Sequence, residues 1–524
     1  MKLKNLVFLL LIGAVMAGAG TLDAGQSTPV VKLGNERLTA EYHYLIKDKK
    51  VGLVTNQSGV TRQGKSTIDL LAEDPATRLT ALYGPEHGID GAARAGEYVE
   101  SYTHSELGIP VYSLYGQTRM PTGEMLKDID LLLFDIQDIG ARSYTYMSTL
   151  NYCMVAAQKY NKPIVVLDRP NPVGGIIADG PVLEDPFKTF VGVDNLPMSH
   201  GMTAGELALF FNREIGADLV VVPMEGYTRE MIFQDTGLPW VQTSPNIPDL
   251  DSVFGYMATG LGEGTGVHQA DQFKWIGGKG IDSQKFADLL NEAGLPGVVF
   301  IPENRGEEGG VRLKIQDYHA FNPARTGIYA LAYARSLNHF AVPKSGQTVV
   351  MFDKIMGTDK IGQYLEDGLS PRQIEANYTP GLSQFKKERE DYLIYGARDD
   401  QRTESKKTDE QITVLVGGNM VTFDSAPYID ENNRLMVPLR AIVEALGADV
   451  HWNPAASSIT ILKEDTTLFF KINELSVVVN GKTKKMDTSP VIRNDRTMIP
   501  VRYVGEYLGA AVHWDQEARS VTID

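Results

Sequence analysis

Between Asn35 and about Gly175 the chain alternates short apolar runs with stretches of helical character. The runs Val51 to Thr55, Leu79 to Tyr83, Val111 to Leu114, Leu131 to Asp135 and Ile164 to Leu167 are apolar at almost every position, as in strands buried on both faces. Ser66 to Ala72, Gly123 to Lys127 and Tyr146 to Tyr160 each suit a helix between them. This alternation predicts an α/β fold, a doubly wound parallel sheet covered by helices, over residues 35–200. Ala204 to about Tyr395 is also mixed, with a helix near Ala204 to Asn212, a strand at Leu219 to Pro223 and further elements at Val311 to Ile315 and Arg325 to Leu337. It reads as a second lobe, residues 201–396. Gly396 to Glu410 is dominated by charged residues and threonine and has little to bury, so a linker is expected over 397–411.

Beyond the linker the pattern repeats. Arg434 to Trp452 recurs as Arg496 to Trp514, an offset of 62 residues, and each copy places a proline, Pro438 or Pro500, ahead of a helix-like stretch. Residues 412–524 are therefore expected to be a duplicated α+β module. It resembles the two-unit copper amine oxidase N-terminal-like module found on surface proteins, where the name does not imply metal. His451 and His513 occupy equivalent positions, each before a tryptophan, and a repeated packing role is expected for them.

Composition narrows the function classes. The net charge of −16 argues against non-specific nucleic-acid binding, which needs a basic face. Recognition of an acidic sugar would then rest on a few local arginines. Met1 to Gly20 has a basic start, an apolar run and small residues, so residues 1–25 read as a secretory signal, with a secreted or wall-associated mature protein and no membrane span. The single cysteine, Cys153, allows no internal disulfide and suits a buried apolar position in the third helix.

In a parallel sheet of this kind ligands bind where loops leave the carboxyl ends of the strands. Those loops here carry Asn56, Glu86 and His87, then Asp135, Gln137, Asp138 and Arg142, then Asp168, Arg169 and Asn171. Gly84-Pro85-Glu86-His87-Gly88 is the most pointed of them, because a stiff, glycine-bounded turn aims a carboxyl and an imidazole.

The segments Val51 to Asn56, Gly84 to Gly88, Phe134 to Tyr146, Leu167 to Pro172, Ser244 to Pro248 and Phe352 to Asp359 resemble, in order, the NamZ-type exo-β-N-acetylmuramidases. The resemblance runs from about Glu36 to Tyr395 and implies a Rossmann-like lobe joined to a smaller auxiliary α/β lobe, with exo-release of N-acetylmuramic acid from peptidoglycan glycan at a site between them. It also implies that Glu86 leads the chemistry. Glycoside cleavage uses an acid for the leaving oxygen and a second group at the anomeric carbon. Glu86 is expected to be the acid, assisted by His87. Asp135, Asp138, Asp168, Glu263 and the substrate's own acetamido oxygen are candidates for the second role. Arg142 and Arg169 are expected to take the lactyl carboxylate, and Tyr144 and Tyr146 to stack on the sugar. Asn56, Gln137, Asn171 and His200 complete the expected substrate contacts. Thr259 to His268 departs from the Asn-Val-Ser and Gly-Arg-Gly-Thr pattern of many relatives, which puts substrate preference in question.

Other chemistries lack their marks. No Gly-x-Gly-x-x-Gly follows the first strand, no His-Glu-x-x-His pair occurs among nine histidines, and no Gly-x-Ser-x-Gly precedes a helix, so neither cofactor nor metal is expected. The competing readings are a non-catalytic wall-glycan-binding protein and a glycosidase for another N-acetylated sugar.

Overall fold

The computed structural model describes residues 31–396 and, apart from short stretches, 412–523. The expected leader and linker lie outside the described residues. Two compact units divide near residue 397.

In the first unit, β1 (Lys50–Thr55), β2 (Arg78–Gly84), β3 (Tyr102–Thr103), β4 (Pro110–Ser113), β5 (Leu131–Asp135), β6 (Ile164–Leu167) and β7 (Leu219–Val222) form one sheet, ordered β3-β4-β2-β1-β5-β6-β7. Every pairing is parallel except that of β3, an antiparallel edge on β4. Helices cover both faces: α1 (Gly34–Ala40), α2 (Thr67–Ala72), α3 (Gly123–Leu126), α4 (Tyr146–Lys159) and α5 (Ala204–Ile215). Val51, Leu53, Leu133 and Leu167 pack with Leu38 of α1 and Leu71 of α2, whereas Val54, Phe134 and Val166 pack with α4 and α5. Two buried faces explain why the strands read as continuous apolar runs. Cys153 is buried in α4, and burial pushes its thiol well up.

The sheet lobe does not stop at residue 200. The strand expected in the second lobe is β7, which pairs with β6, and α5 is the crossover helix that brings it there. A strand's own pattern does not say which sheet it joins; a right-handed crossover of this length returns it beside its predecessor.

The auxiliary lobe holds an antiparallel sheet of β8 (His268–Ala270), β9 (Trp275–Lys279), β10 (Val298–Pro302) and β11 (Glu308–Ile315). Around it lie α6 (Leu250–Thr259), α7 (Ser283–Glu292), α8 (Pro323–Asn338), α9 (Met351–Met356), α10 (Lys360–Glu366) and α11 (Pro371–Glu388). Phe254, Phe286, Val311, Ile328 and Phe385 belong to the same apolar cluster as α4 and α5, so one core spans both lobes. No helix among the described residues is long and apolar enough to cross a membrane.

In the second unit, Leu435–Pro438 pairs antiparallel with Arg496–Pro500, and Val437 lies opposite Ile499, its own counterpart at the 62-residue offset. The two repeats thus meet about a local twofold axis. Ile442, Val443, Ile459, Phe470 and Val504 fill the core. The packing role expected of His451 and His513 is not what the structure gives: both are exposed. Strand alternation turns them outward, while Val450, Val512 and Trp514 on the opposite face lie against the core.

Candidate active site

From β1 the chain steps outward to β2 and β4, then returns across β1 to β5 and continues to β6 and β7. The loops after β1 and β5 therefore diverge, opening a crevice at the carboxyl edge where sheet order reverses. Glu86, in the turn after β2, lies beside it with only 8% of its surface exposed. Its Oε1 accepts the Gly96 N–H at 2.9 Å and its Oε2 accepts the Thr145 hydroxyl at 2.6 Å. Thr145 is the residue that opens α4, so the acid is held between a loop and a helix start. His87 takes a left-handed backbone, φ 74°, ahead of Gly88 at φ 80°. For a non-glycine residue that conformation costs on the order of 1 kcal/mol. The ring compensates by hydrogen-bonding through Nδ1 to the Ala93 carbonyl at 2.7 Å. The loop of residues 90–97 is thereby fastened over both side chains, and a cavity of about 310 Å³ lies beside His87, lined also by Tyr98, Tyr102 and Tyr112.

Next to it three tyrosines pack together, Tyr144 and Tyr146 buried and Tyr256 half-buried. Tyr144 meets Tyr146 at 4.8 Å and Tyr256 of α6 at 5.7 Å, both edge to face. Tyr144 donates to the Thr243 hydroxyl at 2.9 Å and Tyr146 to the Thr243 carbonyl. Burial pushes the Tyr256 hydroxyl up to about 12, with a bond to Ser143 opposing and the carboxylates of Glu86, Asp138 and Glu263 adding to it. One hydroxyl thus lies in the field of three acids, two from the sheet lobe and one from the turn after α6. Asn56 is buried; its Oδ1 takes the Ser58 hydroxyl at 2.6 Å and its Nδ2 has no partner among the described residues.

Asp138, after β5, is buried, with 5% of its surface exposed. Its Oδ2 accepts the Gly140 N–H at 2.8 Å and lies 3.3 Å from His200 Nε2, and its Oδ1 has no partner among the described residues. The Met202 N–H points to His200 Nδ1 at 3.2 Å, so the imidazole proton sits on Nε2 and faces Asp138. His200 has no exposed surface, so it orients Asp138 rather than touching a ligand. Glu263 is exposed at the glycine-rich turn, which Thr265 fixes through the Gly262 carbonyl at 2.6 Å.

Several expected site residues are spent on the fold. Asp135, with no exposed surface, takes Arg169 at both oxygens, at 2.5 and 2.9 Å, and the Thr67 hydroxyl at 2.5 Å. Arg169 also donates to the Val60 carbonyl at 2.9 Å. Asp168, equally sealed, accepts from Thr203 at 2.8 Å, Gly205 N–H at 2.7 Å and Tyr395 at 2.6 Å, fixing the start of α5. Arg142 donates to the carbonyls of Pro181 and Leu196, both at 2.7 Å, and of Ile355 at 2.5 Å, tying the sheet lobe to α9. Burial pulls its guanidinium down to about 9. Gln137 donates to the Asp138 and Pro170 carbonyls, each at 2.8 Å, and Asn171 to the Met202 carbonyl at 3.0 Å. Asp135 and Asp168 have no surface for a sugar to touch, and neither arginine has a free fork for a carboxylate.

Other residues were not singled out in the sequence. Thr145 bonds Glu86, Tyr256 and, after β4, Tyr115 lie close enough to feel its charge, and Arg119 sits over the Tyr115 ring. The third apolar run ends in Tyr115-Gly116-Gln117-Thr118-Arg119, a polar strand tip like those after β1, β2, β5 and β6.

Two mostly buried carboxyl side chains, Glu86 and Asp138, at the carboxyl edge of a parallel sheet suit the paired-carboxyl chemistry of a glycoside hydrolase. Residues 51–251 match the N-terminal domain and residues 254–395 the C-terminal domain of exo-beta-N-acetylmuramidase NamZ, and residues 415–523 match a copper amine oxidase N-terminal domain. The chain is 42% identical over 407 residues to the peptidoglycan beta-N-acetylmuramidase NamZ of Bacillus subtilis, covering 74% of this chain and 97% of that protein. Two DUF1343 family crystal structures from Bacteroides fragilis are also similar. One superimposes with a TM-score of 0.63 at 36% identity, over 70% of this chain and 99% of its own; the other with 0.54 at 28%, over 71% and 100%. This chain belongs to the NamZ exo-β-N-acetylmuramidase family.

Proposed function

We propose that the protein is an exo-acting glycoside hydrolase that releases N-acetylmuramic acid from the non-reducing end of peptidoglycan glycan, with Glu86 as the acid. The observation that carries this reading is the Glu86 carboxyl at the crevice, held by Gly96 and Thr145 in the field of Tyr256. A carboxyl fixed in this way meets the departing glycosidic oxygen without reorganising. Asp138 is assigned the second role. Gly140 and His200 fix one oxygen and leave the other for the anomeric side, whereas Glu263 is exposed. Tyr144 and Tyr146, expected to stack on the sugar, are buried, and the half-buried Tyr256 is the one of the three that keeps ring surface for a pyranose face.

Mass spectrometry of products from peptide-free glycan strands tests the reading. A single monosaccharide appearing with time is expected; mixed oligosaccharide fragments would show an endo-enzyme, and no product a glycan binder. Release from muramic-acid-terminated and glucosamine-terminated chromogenic glycosides separates this activity from that on another N-acetylated sugar. Export with retention at the wall is part of the proposal. It rests on the leader-like residues 1–25 and the duplicated module, and fractionation of producing cells checks it.

A further inference from the structure

N-acetylmuramic acid carries a lactyl carboxylate, and the two arginines expected to bind it are committed elsewhere: Arg169 to Asp135, Arg142 to three backbone carbonyls. The opposing turn, residues 259–268, contributes Glu263 and neither lysine nor arginine. A cation stands on the near side instead. Arg119 lies over the Tyr115 ring at 4.9 Å and the Phe190 ring at 4.6 Å, and Phe190 is itself braced by Tyr152 at 5.3 Å. Its backbone is held by the preceding residue, since the Thr118 hydroxyl donates to the Met120 carbonyl at 2.7 Å and accepts the Met120 N–H at 3.1 Å. The guanidinium is exposed, and among the described residues it forms no ion pair. The half-buried Tyr115 hydroxyl links it to the acid: burial and the neighbouring Glu86 carboxylate push that hydroxyl up, while Arg119 pulls it down.

We propose that Arg119, stacked on Tyr115 and Phe190 beside Glu86, binds the carboxylate of the sugar's lactyl group and so selects muramic acid over its uncharged analogues. This rests on the hydrolase reading above. A guanidinium lodged against two aromatic rings keeps its planar fork of donors in place, and a carboxylate accepts such a fork through two parallel hydrogen bonds. Because the stacking orders the side chain before substrate arrives, less entropy is lost on binding. The same charge next to the acid favours the sugar orientation in which the scissile oxygen faces Glu86.

The test compares a chromogenic N-acetylmuramic acid glycoside with the same glycoside whose lactyl carboxyl is a primary amide, using the full chain and its Arg119→Ala and Arg119→Lys variants. The wild type is expected to favour the acid by roughly 10- to 100-fold in kcat/KM, the range for a hydrogen bond to a charged group. In Arg119→Ala the ratio should fall toward one, mostly through KM, and Arg119→Lys should restore part of it. Melting temperatures should match the wild type, because the side chain is exposed. A wild type indifferent to the amide, or an Arg119→Ala ratio equal to that of the wild type, overturns the assignment while the hydrolase reading stands. Release from neither glycoside by the wild type overturns the hydrolase reading and this inference with it.

Discussion

The tips of β5 and β6 and the tips of β2 and β4 carry similar polar residues at one edge of one sheet. On the β5–β6 side, Asp135, Asp168 and Arg169 are sealed and saturated, bonded to Thr67, Thr203, Tyr395 and one another. On the β2–β4 side, Glu86 is held by Gly96 and Thr145 yet keeps 8% of its surface exposed, and Arg119 is exposed over its rings. The difference lies in what arrives later in the chain. Thr203 and Gly205 at the start of α5 and Tyr395 at the end of the auxiliary lobe close over Asp168, while Asp135 and Arg169 neutralise each other. Among the described residues, Glu86 is held instead by its own loop and the start of α4. A polar strand tip therefore marks a place where chemistry can sit, and the long-range partners decide whether it does.

If that division is right, substitutions on the two sides should fail in different ways. The largest effect is expected from Glu86→Gln, with kcat on glycan falling roughly 10³- to 10⁴-fold, near the top of the range for a lost general acid, at an unchanged melting temperature. Asp135→Ala should do the opposite. Leaving Arg169 buried without its partner costs about 3–5 kcal/mol of stability, read as a lower urea midpoint, while the folded fraction turns over within a fewfold of normal. Asp138→Asn is expected to lower kcat about 100-fold, or about 3 kcal/mol in barrier, with a smaller loss of stability. A variant as unstable as Asp135→Ala would move Asp138 to the structural side of the division.

The smallest effect is one of pH. Burial pushes the Asp168 carboxyl up to about 6, against donors from Tyr395, Gly205 and Thr203, with Glu206 adding to the rise. The folded state then binds this proton more tightly than the unfolded chain does. Its contribution to stability is complete below about pH 4, and is lost as pH rises through about 6. Urea unfolding should show the wild type gaining on the order of 1–3 kcal/mol relative to Asp168→Asn between pH 7 and pH 4.5. A gain equal in both proteins would take Asp168 out of the titration.

The fold was legible where burial is two-sided. The strands at 50–55, 78–84, 131–135 and 164–167 are apolar runs bounded by turns, and they lie within a residue of where the pattern put them. β3 was not legible, because its two residues are both exposed. Nor was the membership of β7, since its pairing depends on the crossover rather than on its own residues. At the site, the Glu86 turn was legible from its glycines and proline. The fate of Asp168 was not: one of its partners, Tyr395, is 227 residues away, and such a distance leaves no local signature. Arg119 was legible in principle, as the end of a polar strand tip. Its rings at Tyr115 and Phe190 are brought together only by the fold.

The role of Glu86 is tested most directly by varying the leaving group. A sugar leaving group needs a proton; 2,4-dinitrophenolate departs without one. Glu86→Gln is expected to lose roughly 10³-fold or more on a disaccharide but less than about tenfold on the dinitrophenyl glycoside of N-acetylmuramic acid. Equal losses on both substrates would contradict it, and would show that the Glu86 carboxyl positions the sugar instead of protonating the oxygen that leaves.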